Sequence, residues 1–528
     1  VSNEIGKKKN PKVSAVLCTV LMILTPVIIS LLYAAFWGII KKADPFPGII
    51  WNDEAVYLKL IENYAKHLSP LGYWGFNANH AILGSGPAWS PAIILPYALL
   101  AKIFPTGQSF VFFANLFFMV LANLVFWLLA RPEREQNVRL IGFQLFFVPL
   151  LLYLTTNMSE IYRYAIAVVL AGMLYYLYFA KQRKWWISYL IIPLFFLYSV
   201  QVYTFFAFAI PLYVCALLKE KKGYIRFLVS LPVTAIVAGG SYYFLHLISS
   251  NYNIGKTESL LAALSAKDFA GAVKSALYMA KDGLLGVWEL KKYFKSEPIY
   301  PYSVILALVM IGVGLFMAFR GKANPEKKDD AYLGRMIAHS VALFYAMYMT
   351  LYTILPDTFY RGTQIVILFS LYLLAMCKRE YLVRLLLLVS LAGVFLSAGR
   401  FRYFTADRYA HSAVQAEWNT LRNDWEKVLK ADPSKDKWEN TILMYTMEPK
   451  AICAVPVGPA ENFVLEEGTF SENPEYLLFS KLSSEEANPE WIVRSYERIY
   501  TENRDVLDKN YIVIYETDSY IIYKKGQK

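Results

Sequence analysis

The chain has 528 residues, of which 57% are hydrophobic, 16% aromatic and only 18% charged, and its mean hydropathy is +0.36. A soluble domain keeps about a quarter of its residues charged. That shortfall, with repeated apolar runs of about 20 residues, excludes a simple cytosolic globule and the collagen-like, coiled-coil and disordered classes.

The net charge of +12 comes from 53 basic and 41 acidic residues. The Lys and Arg residues fall mainly in short links between apolar runs, where the cytoplasmic face of a membrane attracts them. No basic stripe interleaved with exposed aromatics marks a nucleic-acid partner.

In chain order, Lys7, Lys8, Lys9 and Lys12 precede an apolar run from Val13 to Ile40, too long for the h-region of a cleaved signal peptide. It reads as a retained span with a cytoplasmic amino terminus, followed by a long outer loop over 41–107. Further apolar runs cover roughly 108–130, 138–155, 162–180, 185–199, 203–218, 224–248, 301–319, 335–355, 362–377 and 382–398, which predicts about eleven spans in a multi-pass plasma-membrane protein. The basic links at 131–139, 181–184, 219–226, 320–335 and 378–384 then all fall inside. Segment 89–104 is apolar but interrupted by Pro91 and Pro96. Counting it as a span would invert every later link, so it is predicted to lie as an interfacial helix. Between 249 and 300, Leu260, Leu261, Leu264, Leu277, Met279, Leu284 and Leu285 recur at helical spacing among Lys residues, the pattern of amphipathic helices on a lipid surface.

From 400 onward the charge rises and no run reaches membrane length. The division is thus 1–399, a polytopic helical membrane domain, and 400–528, a small extracytoplasmic α/β domain: a helix near 407–429, then strands near 442–447, 463–466, 476–482 and either side of Thr517-Asp518-Ser519. Cys18, Cys215, Cys377 and Cys453 form no disulfide framework by spacing, and the five His residues show no metal-ligand pairing.

The sharpest local signal is Trp51-Asn52-Asp53-Glu54-Ala55-Val56-Tyr57, directly after the first span. Adjacent acids at a helix start can simply oppose the dipole. A cytoplasmic amino terminus, one span and then W-x-D-E-x-x-Y in a long outer loop also resembles the GT-C class of membrane glycosyltransferases. The likeness is to the aminoarabinose transferase and protein O-mannosyltransferase branch, and more distantly to oligosaccharyltransferase catalytic subunits. It covers residue 1 to about 400, including an interfacial helix matching 89–104 and an acidic second outer loop. It implies an inverting glycosyltransferase that takes a sugar from a polyprenyl-phosphate donor and passes it to an extracytoplasmic glycan, lipid or protein acceptor. The essential first-loop acid matches Asp53, with Glu54 beside it, and the second-loop acid falls nearest Glu160, where the family usually has Asp. No cofactor is required by the sequence, and a divalent cation stays open.

Polyprenyl phosphate is a stable leaving anion, so one carboxylate base suffices and cations replace the second acid of a glycoside hydrolase. Arg361, opening a span on the outer face, is the first candidate to hold phosphate and Arg163 the second. Their bland readings are an interfacial anchor paired with Asp357, and an i,i+3 pair of Arg163 with Glu160. His80, before the flexible Gly84-Ser85-Gly86-Pro87, together with Tyr57 and Trp89 completes the donor or sugar candidates, Trp89 being equally suited to anchoring at the interface. The alternatives are a transporter or flippase of a lipid-linked substrate, a glycan polymerase or ligase using a lipid-diphosphate donor, and a silent scaffold.

Overall fold

The computed structural model describes residues 11–68, 74–76, 90–219, 221–248, 257–322, 328–352, 354–397, 405–430, 441–446, 448–456, 462–465, 475–481 and 496–526. The chain is mostly helical. In order run α1 (Pro11–Ala34, prolonged by a π turn, Ala35–Ile40), α2 (Asn52–His67), α3 (Pro91–Ala101), α4 (Phe110–Ala130), α5 (Arg134–Phe146), α6 (Val148–Tyr153), α7 (Glu160–Phe179) and α8 (Ile192–Val202). They continue as α9 (Ile210–Leu217), α10 (Gly223–Ile248), α11 (Glu258–Ser265), α12 (Phe269–Glu289), α13 (Ile299–Lys322), α14 (Lys328–Leu351), α15 (Pro356–Ala375) and α16 (Glu380–Leu396).

Among the described residues six helices are long and apolar enough to cross a membrane: Ser14–Ile40, Phe110–Ala130, Glu160–Phe179, Gly223–Leu245, Ile299–Arg320 and Pro356–Ala375. Large apolar side chains such as Leu128, Ile236, Leu308 and Phe319 face outward from them, as lipid contact requires. The chain is membrane-embedded. Three of the predicted runs are not single helices, and proline is the physical reason. Pro149 sits in the first turn of α6 after the extended Phe147. Pro193 follows a π turn (Ile187–Ile191), and Pro211 follows a 3-10 turn (Thr204–Ala209).

The centre of the bundle is α7 against α15, whose windows are the most buried of the six. Two devices hold this apolar mass together. Pro26, inside α1, cannot donate to the Met22 carbonyl; the side chains of Asn123 and Gln144 donate to that oxygen at 3.3 and 3.2 Å, and Tyr372 donates to Asn123 at 2.6 Å. α13 and α14 approach through Gly314 and Gly334, where a Cβ on Gly314 would lie 2.7 Å from the Gly334 carbonyl oxygen, the close contact that small residues permit between membrane helices.

α3 begins where Ser90 accepts the Ala92 amide at 3.2 Å. Its 11 residues reach about 16 Å at 1.5 Å per residue, about half a hydrocarbon core, so it cannot cross by itself. In α11 and α12 the expected amphipathic pattern leaves Leu264, Leu277, Leu284 and Leu285 exposed while Met279 is buried.

After residue 405 come a 3-10 turn (Asp407–Tyr409) and helices Ser412–Val428, Pro449–Ala454 and Tyr496–Asn510. With them lies a six-stranded sheet of order β1-β3-β2-β4-β6-β5. Its strands are β2 (Thr441–Tyr445), β3 (Asn462–Leu465), β4 (Tyr476–Ser480), β5 (Tyr511–Glu516) and β6 (Tyr520–Lys525), close to those predicted. The sixth, β1 (Trp74–Phe76), comes from the segment between α2 and α3 and pairs parallel with β3. The sheet is therefore shared between the two ends of the chain.

Candidate active site

Three helix starts converge: α2 brings Asp53 and Glu54 in its first turn, α7 brings Glu160 and Arg163, and α15 brings Asp357 and Arg361. Acids are favoured at such positions because the unpaired amides carry partial positive charge. Here they serve a guanidinium as well. Arg361 Nη1 lies 3.5 Å from Asp53 Oδ2 and 3.7 Å from Glu160 Oε1, and its Nε lies 3.0 Å from Asp357 Oδ2.

Three carboxylates thus share one cation. Glu160 is 5% exposed and its Oε2 has no hydrogen-bond partner, whereas the Asp53 side chain is 33% exposed. Burial raises the Asp53 pKa above its ordinary value; Arg361 pulls it down, and the neighbouring carboxylates of Glu160 and Glu54 push it back up. A half-open carboxylate with raised proton affinity is a competent general base.

Arg163 does not pair with Glu160, which reaches Arg361 instead. Its guanidinium lies over the Tyr203 ring at 4.7 Å, and its buried Nε has no hydrogen-bond partner. Among the described residues it makes no ion pair. Tyr57, one turn beyond Asp53, is buried, and burial raises its hydroxyl pKa, with Arg163 acting the other way. His80 and Trp89 lie outside the described residues.

Glu54 sits next to Asp53 in sequence but in a different environment. Fully buried, it accepts the Ile50 and Trp51 amides at 3.0 and 3.1 Å, the Asn157 amide at 2.9 Å, and a hydrogen bond from the equally buried Arg408. Arg408 also covers the Trp51 ring at 4.2 Å. Its carbonyl accepts the Gly48 amide at 2.8 Å, the next carbonyl accepts the Asp44 amide at 2.8 Å, and a side chain at Gly48 would collide with the His411 ring.

Further along α2, the buried Lys59 donates to Glu62 at 3.0 Å and to the carbonyls of Cys453 and Val455 at 3.1 and 2.5 Å. Glu62 accepts Thr106 at 3.0 Å and faces Arg422 at 3.4 Å. Every charge that α2 buries therefore involves the chain after residue 400, directly or through Glu62. Arg408 and Arg422 were not singled out by sequence, since neither lies in a motif or periodic pattern that points to α2.

Among the described residues no three His, Cys, Asp or Glu side chains gather as a metal site. The two acids best suited to share a cation, Asp53 and Glu160, both face Arg361 Nη1.

No protein-family model matches the chain, and no curated protein does. Among solved structures it is similar to the Archaeoglobus fulgidus oligosaccharyltransferase, determined as a complex with zinc and sulfate (TM-score 0.45, 13% identity, 95% of this chain and 73% of that one). It is also similar to ArnT from Cupriavidus metallidurans, bound to undecaprenyl phosphate (TM-score 0.39, 11% identity, 96% and 99% covered) and in the apo state (TM-score 0.37, 10% identity, the same coverage).

Two outcomes follow for stability. Arg408→Met strands a buried carboxylate and is expected to cost about 3–5 kcal/mol, against about 0.5 kcal/mol or less for the exposed Lys295→Gln; thermal unfolding of the detergent-purified chain compares them. Asp53 has a raised folded pKa, so its stabilising contribution is full below the ordinary value of 3.8 and is lost as pH rises through the raised one. Asp53→Asn is accordingly expected to raise the melting temperature at pH 7 and to leave it unchanged near pH 4. A lower melting temperature at pH 7 would contradict that electrostatic picture.

Proposed function

We propose that the chain is an inverting glycosyltransferase that moves a sugar from a polyprenyl-phosphate donor to an extracytoplasmic acceptor. The observation that carries this is Asp53: a partly open carboxylate of raised proton affinity where three helix starts meet, with an unpaired guanidinium on one of those helices. In this reading the bundle crosses the plasma membrane about eleven times, with the amino terminus inside and residues 400–528 outside. Nucleotide sugars are absent there, and the donor must be a membrane lipid.

In the reaction an acceptor hydroxyl gives its proton to Asp53 while its oxygen forms a bond to the anomeric carbon. The bond from that carbon to the phosphate oxygen breaks, both electrons leave with polyprenyl phosphate, and one displacement inverts the configuration. The leaving phosphate needs no proton, so a second acid is unnecessary. It needs a counter-charge. Arg361 is already engaged by three carboxylates, so the phosphate contact falls to Arg163, whose free Nε and planar fork suit it.

Glu160 and Arg361 are positioning residues: one keeps the proton affinity of Asp53 high, the other fixes its carboxylate. Glu54, saturated by four donors, holds the helix start rather than a proton in flight. A transporter would instead need charges near mid-span, and Glu160, Arg163 and Arg361 all lie in first turns or the second turn of their helices.

The test is transfer of radiolabelled sugar from polyprenyl-phosphate donors by the purified full-length chain. Asp53→Asn is expected to lower kcat by about 10²–10⁴-fold, and wild-type kcat/KM to rise with pH through the raised Asp53 pKa to a plateau. Arg163→Ala should lower transfer more than Arg163→Lys. Undiminished transfer by Asp53→Asn removes its role, and no transfer from any donor by the wild type overturns the reading in favour of a transporter or scaffold.

A further inference from the structure

A cleft of about 620 Å³ opens where the carboxyl-terminal end of α2 meets the end of α3 and helix Ser412–Val428, a size typical of small-ligand sites. Its charged and polar lining is Glu62, Lys66, Lys102, Thr106, Arg422 and Glu426. Glu62 lies nine residues beyond Asp53, hence about 14 Å further along the helix and on its opposite side. The cleft and the Asp53 centre are therefore separate.

Their electrostatics are also opposite. At the Asp53 centre carboxylates outnumber cations; the cleft is lined by three cations, Lys66, Lys102 and Arg422, against two carboxylates, Glu62 and Glu426. Buried Glu62 forms the floor. Burial would raise its pKa, but Lys59 and Arg422 hold it below the ordinary range, so it stays ionised and keeps Arg422 in place. Arg422 is 32% exposed, and its carboxylate contacts are long, 3.4 and 3.6 Å, which leaves donors facing the opening. Lys66 and Lys102 are exposed and make no ion pair among the described residues. The rim beside Lys102 is apolar, with Leu99, Ile103 and Phe104 exposed, the composition of a segment at headgroup depth.

We propose that this cleft binds a phosphate-bearing group between Lys66, Lys102 and Arg422, at a site distinct from the transfer centre. Phosphate fits because its several charged oxygens can take hydrogen bonds from three cations at once. The group is either the headgroup of an acidic phospholipid or a phosphate carried on a soluble glycan. The proposal stands whether or not the chain is a transferase.

The test uses the detergent-purified full chain, with phosphatidylglycerol against phosphatidylcholine by native mass spectrometry, and inorganic phosphate by thermal-shift titration. The double variant Lys66→Gln/Lys102→Gln is expected to bind at least about tenfold more weakly, while Lys66→Arg/Lys102→Arg retains binding. Both should melt as the wild type does without ligand, since the two side chains are exposed. Loss confined to phosphatidylglycerol assigns a lipid source, and loss confined to phosphate a soluble one. The proposal is overturned if the wild type binds neither probe, if the Gln pair binds as well as wild type, or if the Arg pair loses binding as the Gln pair does.

Discussion

The structure depends on keeping one buried carboxylate satisfied. Glu54 is removed from solvent, and an unpaired charge there would cost several kcal/mol. Its donors come from three parts of the chain: the two amides that precede α2, the Asn157 amide before α7, and Arg408 beyond the last apolar helix. Once those donors are assembled, the start of α2 is fixed against the start of α7, and Arg408 binds the chain that follows α16 to the loop between α1 and α4. The shared sheet, with β1 from that loop and β3 from the tail, closes the same junction a second time. This explains how α2 can be polar by composition and yet be encased: its charges are met by the tail rather than by water.

Fixing Glu54 also determines what Asp53 can be. Consecutive helix residues point about 100° apart, so when one acid turns into a shell of donors the next cannot share it. Asp53 instead faces Arg361 together with Glu160 and Asp357, where positive charge is in short supply. The same two-residue motif supplies a carboxylate that stabilises the fold and another whose charged form burial and neighbouring carboxylates disfavour. Functional sites gather such perturbed carboxylates, and structural ion-pair networks do so too, so it is the partial exposure of Asp53 beside Arg361 that singles it out.

Much of this was legible in the sequence, to the extent that local chemistry controlled it. The tail strands near 442, 463, 476 and around the Thr517 turn follow from alternation and turn residues, and they form nearly where that pattern puts them. Asp53 and Arg361 stand out as charges at the edges of apolar runs. What sequence could not supply was long-range. Arg408 and Arg422 sit in a charged tail where no periodicity separates a buried Arg from a solvated one, and β1 is three residues inside a loop, paired with a strand almost four hundred positions away. The apolar runs at 138–155, 185–199 and 203–218 read as continuous because hydropathy does not register the amide that proline lacks. Asp53 and Glu54 read as one acidic pair because adjacency in sequence hides the turn of a helix between them.

Orphaned polar atoms are repaired at two places in the scaffold. Where Pro26 frees the Met22 carbonyl, Asn123 and Gln144 move in to satisfy it, and Tyr372 steadies Asn123 in turn. Where Glu54 is buried, four donors close around it. At the convergence of α2, α7 and α15, Glu160 Oε2 is the buried carboxylate oxygen left without a partner among the described residues, and Arg163 Nε is left open on the same helix. Single polar atoms without a partner also occur elsewhere among the described residues, as at Ser340 and Ser370; what marks this place is an acceptor and a donor standing open three residues apart on one helix. In the proposed reaction a phosphate oxygen would complete Arg163, while Glu160 stays beside Arg361 and acts on Asp53 through its charge.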